Sequence, residues 1–263
     1  MTTAKQFFGV CNRNVILAFQ DAMAYKLSFF LQLFGLLFGD IIIPVVSALI
    51  YSVSAGIPGW SLYEFILFQG TLILVIGIWH TMFAGLLGET INSVKEGTFD
   101  KVLLKPFPSL AYVTSRGFDL DGLGEVLAGV LIIGFAMFKV EFVAIMFIPY
   151  VIAVLLGALF EFALTIFAAS FAFLFVKTWR LYEFISALER FGRYPIVIYG
   201  PVLRLILTFG VPVAMASYYP ASVLLGKETV HMLALVTIPV LIFFGVSLLL
   251  WKFAMTKYSS AGG

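Results

Sequence analysis

The sequence predicts an all-α integral membrane protein with six transmembrane helices, and three observations carry that reading. Of 263 residues, 62% are hydrophobic and only 11% charged, with a mean hydropathy of +1.08, whereas soluble domains carry about a quarter charged residues. Apolar stretches at 27–50, 62–88, 120–138, 142–176, 178–199 and 231–252 are long enough to be read as crossings, which need about 20 residues each. Basic residues cluster in connections as orientation signals, notably before the first span and in 91–118. The whole of 1–263 reads as one membrane domain, with no internal repeat of short period.

Residues 1–26 predict an interfacial helix. Phe8, Cys11, Val15, Ala18, Ala22 and Tyr25 recur at three-and-four spacing, while Gln6, Arg13 and Gln20 repeat every seven residues on another face. No small-residue cleavage site follows a short apolar core here, so a removable signal peptide is not expected. Lys5, Arg13 and Lys26 precede the first span, Lys252 and Lys257 close the last, and the 51–61 connection has no basic residue. Both termini are therefore expected on the cytoplasmic side of a bacterial-type plasma membrane.

The 91–118 connection is the markedly polar stretch of the front half. It carries Lys95, Lys101, Lys105 and Arg116, which assigns it to the cytoplasm. Within it Phe99, Val102, Leu103 and Leu104 fall at roughly helical spacing, so a short amphipathic helix is expected to offer an apolar knob to a soluble partner. The 142–176 block is long for one crossing, and Pro149 can mark an outer turn. The 178–199 block contains Arg180, Glu183, Glu189, Arg190 and Arg193; it reads either as a polar-faced crossing or as a surface helix. If it crosses, the Pro201, Pro212 and Pro220 region, 200–228, becomes an outer re-entrant segment, allowed where protein shields its backbone. The terminal Ser-Ser-Ala-Gly-Gly reads as a frayed tail.

Several function classes drop out. A net charge of +2 gives no nucleic-acid footprint. Cys11 is the one cysteine, so an intrachain disulfide is impossible and no Cys/His set has metal-ligand spacing. A phosphate-cradling loop needs glycines followed by Lys and Ser or Thr; the 85–90 region lacks the lysine, and Gly226-Lys227-Glu228 lacks the upstream glycine and the hydroxyl.

Glu96-Gly97-Thr98, then Leu103-Leu104 and Pro106, resembles the pattern that follows the second span in permeases of the type-2 ABC exporter family. Phe118-Asp119-Leu120-Asp121-Gly122-Leu123, Arg193-Tyr194-Pro195 and Tyr218-Tyr219-Pro220-Ala221 are similar to one bacterial six-span branch, in which paired permeases work with a separate ATPase. The resemblance implies that Lys95, Glu96, Gly97, Thr98, Phe99, Asp100, Lys101, Leu103, Leu104 and Lys105 form a coupling helix and its flanks, which contact a nucleotide-binding subunit. It also implies that ATP and Mg are bound by that partner and not by this chain, and that a second permease, identical or related, completes the complex. The charged fifth span and Arg204 in the outer segment depart from the commoner family pattern.

Intramembrane charge supplies the remaining candidates. Asp40, in a span after Gly35 and Gly39, would cost about 2.5 to 3.5 kcal/mol at a helix centre, so it must face protein or water. Either a translocation path or a structural bond to a neighbouring span meets that need, and the two glycines can allow close helix contact. Glu161 raises the same question. Glu183, Glu189, Arg190 and Arg193 complete a candidate polar seam, Glu189 and Arg193 being four apart, although a solvated interfacial face has the same composition. His80 has no acid nearby on its own helical face, so a packed, hydrogen-bonded histidine is expected over a proton relay. Asp119, Asp121 and Glu125 read as a hinge or a bridge to Lys101 and Lys105. A gradient-driven secondary transporter using Asp40 and Glu161 is the alternative reading, and it predicts repeated halves; an intramembrane enzyme would need a nucleophile–base set that the sequence lacks.

Overall fold

The structure, a computed structural model, describes residues 4–54, 56–175 and 179–259. The first three residues of the expected interfacial helix, the junction of the fourth and fifth expected spans at 176–178, and most of the terminal tail lie outside them. The described residues are helical, with no strand and one isolated bridge between Ile57 and Trp60.

Helix α1 (Ala4–Ala24) passes into α2 (Lys26–Val53) through Tyr25 alone. The Tyr25 N–H still donates to the Asp21 carbonyl at 3.1 Å and the Phe29 N–H to the Tyr25 carbonyl at 3.0 Å, so the bend costs little backbone bonding. α2 rises about 42 Å, yet only 6% of its apolar stretch is buried. Its Gly35 and Gly39 meet no other atoms of the chain, so the close helix contact they suggested is not made within it.

A reciprocal cap starts α3 (Leu62–Phe83): the Ser61 N–H donates to Glu64 Oε2 at 2.6 Å and the Glu64 N–H to Ser61 Oγ at 3.3 Å. After a slight break at Ala84 the helix runs on as α4 (Gly85–Lys95). This 34-residue column is about 51 Å long and outruns the hydrocarbon core of about 30 Å. The second expected span ended at 88; the extra two turns keep Thr90, Ile91 and Ser93 buried and carry the chain into the polar connection.

Two short helices, α5 (Phe99–Leu103) and α6 (Ser109–Arg116), lead to α7 (Leu123–Met137). α7 packs along α3 more extensively than any other pair of helices. Glycines permit this: a Cβ at Gly77 would lie 2.6 Å from the Val126 backbone nitrogen, and one at Gly129 2.7 Å from that of Leu74. Neither backbone can yield, so small residues set the spacing.

α8 (Phe147–Ser170) lies at the centre, buried against α3 and against α12 (Val230–Met255). Between them come α9 (Trp179–Gly192), α10 (Pro201–Leu205) continuing into a wide turn to Gly210, and the buried α11 (Tyr218–Leu224). Among the described residues, four helical stretches are long and apolar enough to cross a membrane; Leu123–Met137 and Pro201–Gly210 are shorter apolar helices. The expected crossing at 178–199 is a helix ending at Gly192, about 21 Å by length, because Pro195 and the turn before it interrupt the helix. It packs against α8 and the 213–216 turn, with the Tyr182 hydroxyl near Gly88 of α4 and, beyond its end, Tyr194 stacked on Phe65, ring centroids 6.4 Å apart.

The two ends of the bundle differ. At one, Lys227 Nζ pairs with Glu64 Oε1 at 2.8 Å, donates to the Gly59 carbonyl at 2.7 Å and sits over the Trp60 ring. The Tyr51 hydroxyl donates to the Trp60 carbonyl. At the other end, Arg116 pairs with Glu89 at 2.8 Å and Asn14 donates to Ser115 Oγ at 2.9 Å, which docks α1 on α6.

Candidate functional site

The structure separates two groups of candidate residues, one at the tip of the polar connection and one inside the bundle. At the tip, Gly97 has φ +69°, and its N–H donates to the Val94 carbonyl at 3.2 Å. This left-handed close of α4 is what a glycine after the last helical turn supplies and a Cβ opposes. Thr98 then precedes α5, its hydroxyl 3.5 Å from the Ser93 carbonyl.

The apolar residues of α5 divide between two faces. Phe99 and Val102, three apart, are buried. The Phe99 ring meets Phe173 at 4.8 Å, Tyr258 at 5.4 Å and Trp251 at 6.4 Å, all edge-on, so it ties the tip to α12 and to the end of α8. Phe99 is therefore not part of an exposed knob, as the spacing suggested; in so short a helix no single face can hold all four apolar residues. Leu103 and Leu104 are 50% and 84% exposed, among exposed Lys95, Glu96, Lys101 and Lys105, with Asp100 half-buried. Two adjacent exposed leucines ringed by charge make a small apolar point on a polar surface.

Inside the bundle the charged residues converge from five helices. His80 Nδ1 of α3 lies 3.0 Å from Glu125 Oε1 of α7, and its Nε2 lies 3.9 Å from Asp119 Oδ2. The histidine is packed and hydrogen-bonded as expected, with partners drawn from the next span. Asp119 and Glu125 thus answer to His80, and no ion pair joins them to Lys101 or Lys105. Sequence reasoning saw both the histidine and the acids and missed their pairing, since nothing on α3 itself signals an acid about 45 residues away. Asp40 of α2 is within electrostatic reach of Glu125, His80 and Arg193. Glu189 of α9 is within reach of Arg193 and Glu125, and Glu161 of α8 within reach of Glu189.

Burial sharpens the picture. Glu161 is 2% exposed, and its Oε2 has no hydrogen-bond partner; Glu125 Oε2 and Asp40 Oδ2 share that condition. A buried polar atom left unpaired costs about 1 to 3 kcal/mol, more when charged, so three such carboxyls inside one bundle mark a region not built for stability alone. The backbone near Glu161 is well tied: its carbonyl accepts from the Thr165 hydroxyl at 2.8 Å, which accepts in turn from Trp79 Nε1 at 2.8 Å. Glu183 and Arg190 face away from this convergence and are exposed. Arg193 lies just past the end of α9, exposed, and faces Glu189 without a direct ion pair.

A polar pocket of about 530 Å³ opens where α1 bends into α2, with Asp21, Asp119 and Asp121 in its wall. Gln32 turns its amide toward the Asp121 carboxylate. In the turn ahead of α7, partial burial and then the neighbouring Asp119 raise the Asp121 pKa above the ordinary value. Among the described residues no group of three or more His, Cys, Asp or Glu side chains is arranged to hold a metal ion.

A family model described as ABC-2 family transporter protein matches residues 34–262. No curated protein and no solved structure matches the chain.

Proposed function

The chain belongs to the ABC-2 transporter family and is a multi-pass membrane permease; from that premise we propose that it is the membrane-spanning subunit of an ATP-driven exporter. In this reading a separate nucleotide-binding subunit hydrolyses ATP, and its closure is delivered through residues 95–105. A second permease, identical or related, completes the complex in a bacterial-type plasma membrane, with both termini and the 91–118 connection cytoplasmic.

The observation that carries the proposal is the division of labour in α5. Phe99 and Val102 fix the segment to α12 and the end of α8, while Leu103 and Leu104 are left to water. An apolar point held by a buried anchor can pass a push to the bundle, because packed interiors transmit strain. The 34-residue column through α3 and α4 supplies the lever, its far end at the tip and its middle at His80. Asp40, Glu161, Glu189 and Arg193 then lie along the path that would open as α3, α8 and α9 move. The packing of α9 against the central α8 supports reading it as a crossing and 200–228 as an outer re-entrant segment, with Arg204 satisfied locally by the Val197 carbonyl at 3.1 Å.

The unpaired carboxyls favour one competitor, a carrier driven by an ion gradient. Proteoliposomes holding the permease with its ATPase separate the two. Transport that requires ATP and survives collapse of the proton gradient is expected. Transport that runs on an imposed pH gradient without ATP, and is lost in Asp40→Asn or Glu161→Gln, would transfer the assignment to the carrier.

A further inference from the structure

The carboxyls of the bundle outnumber its cations. Among the described residues, the cationic groups within reach of Asp40, Glu125, Glu161 and Glu189 are Arg193 and His80, and the Glu161 carboxyl, 2% exposed, points an oxygen at no partner. Burying acids without matching cations is costly, and such groups inside a membrane bundle mark the route of a substrate or ion. An organic cation with hydrogen-bond donors would supply the charge that these carboxyls lack.

The surroundings narrow its kind. The pocket at the α1–α2 bend adjoins one edge of the seam through Asp119, 3.9 Å from His80, which lies 3.0 Å from Glu125. Arg116 also lines that pocket but is held by Glu89 at 2.8 Å, so the free charge in its wall is that of the aspartates. A volume of about 530 Å³ falls in the range of small-molecule sites. On the other side of Phe118 lies a groove of about 500 Å³ walled almost wholly by apolar atoms, among them Val15, Phe83 and Phe162. An acidic pocket and an apolar groove meeting at one side chain suit a molecule with a charged head and an apolar body.

We propose that the cargo is an amphiphilic organic cation, received in the aspartate-walled pocket and passed inward to the Glu125, Glu161 and Glu189 carboxyls. This rests on the permease reading and gives it a substrate class. The carboxylate oxygens left without partners accept the charge of the cargo, and the apolar groove holds its body during entry from the adjacent leaflet.

Binding of labelled tetraphenylphosphonium to the purified full-length chain in lipid nanodiscs tests this. Tetraphenylborate, of the same shape and opposite charge, is the competitor. Saturable binding is expected, unaffected by excess tetraphenylborate and weakened at least tenfold in Glu161→Gln and in Glu189→Gln. Glu141→Gln, an exposed acid in the connection before α8, should bind as the parent does. If Glu161→Gln fails to elute as a folded species, Asp40→Asn at a half-buried position carries the same expectation. Absence of saturable binding, equal competition by tetraphenylborate, or unchanged affinity in both folded carboxyl variants overturns the proposal. No ATPase takes part, so such a failure leaves the permease reading standing, and loss of ATP dependence in proteoliposomes leaves the cation site standing.

Discussion

Phe99 and Leu104 stand five residues apart and answer opposite demands. Phe99 is wholly buried among three aromatic rings, so Phe99→Ala should cost about 3 to 5 kcal/mol of stability. A fall in melting temperature of the purified permease, with loss of coupling as a consequence of a loosened tip, would be the sign. Leu104, 84% exposed, touches little, and Leu104→Asp should leave the melting temperature within experimental scatter. An unchanged melting temperature in Phe99→Ala would show that the aromatic anchor does not hold the segment. At the same scale, the leucine pair was legible in the sequence, and Gly97 as part of the Glu96-Gly97-Thr98 motif, though not as a left-handed turn. The inward turn of Phe99 was not, because its partners lie at Phe173, Trp251 and Tyr258, far along the chain.

Among the elements, the α3–α7 pair depends on glycine backbones in contact. Replacing Gly77 by Leu would drive a side chain into the Val126 backbone, 2.6 Å from the first added carbon; overpacking of this kind costs about 1 to 3 kcal/mol. The same replacement at Gly35, where nothing of the chain lies within 4 Å, should leave the stability of the isolated permease unchanged. Thermal denaturation of the two variants side by side checks both; equal losses would show that glycine contacts do not set the helix spacing. Orientation is an element-level question as well. With Cys11 replaced, Ser54→Cys should react in intact cells with an impermeant thiol reagent and Lys105→Cys should not. Labelling of the second alone would invert the topology and remove the coupling proposal. Apolar length located α2, α3, α8 and α12 directly, since a continuous oily run has one structural meaning in a membrane. The 178–228 region resisted because its charges and prolines fit a short crossing and a broken surface helix equally, and its tertiary contacts, such as Tyr194 on Phe65, join residues far apart in the chain.

For the whole molecule, one helical column joins the tip to the seam: Phe99 grips α12 and the end of α8 while α4 and α3 lead from the tip to His80. The sequence carried the family, through the Glu96-Gly97-Thr98 turn and the leucine pair. It also carried the acids of the seam one at a time, but not their convergence, which needs five helices packed together. The most direct measurement takes the complex of permease and ATPase purified from membranes and compares ATP hydrolysis, ATPase retention and transport between the parent and the double variant Leu103→Asp, Leu104→Asp. A folded permease that loses the ATPase, or keeps it with hydrolysis no longer linked to transport, is the outcome expected if this apolar point receives the push. A folded double variant that retains its ATPase and transports at the parental rate would contradict it.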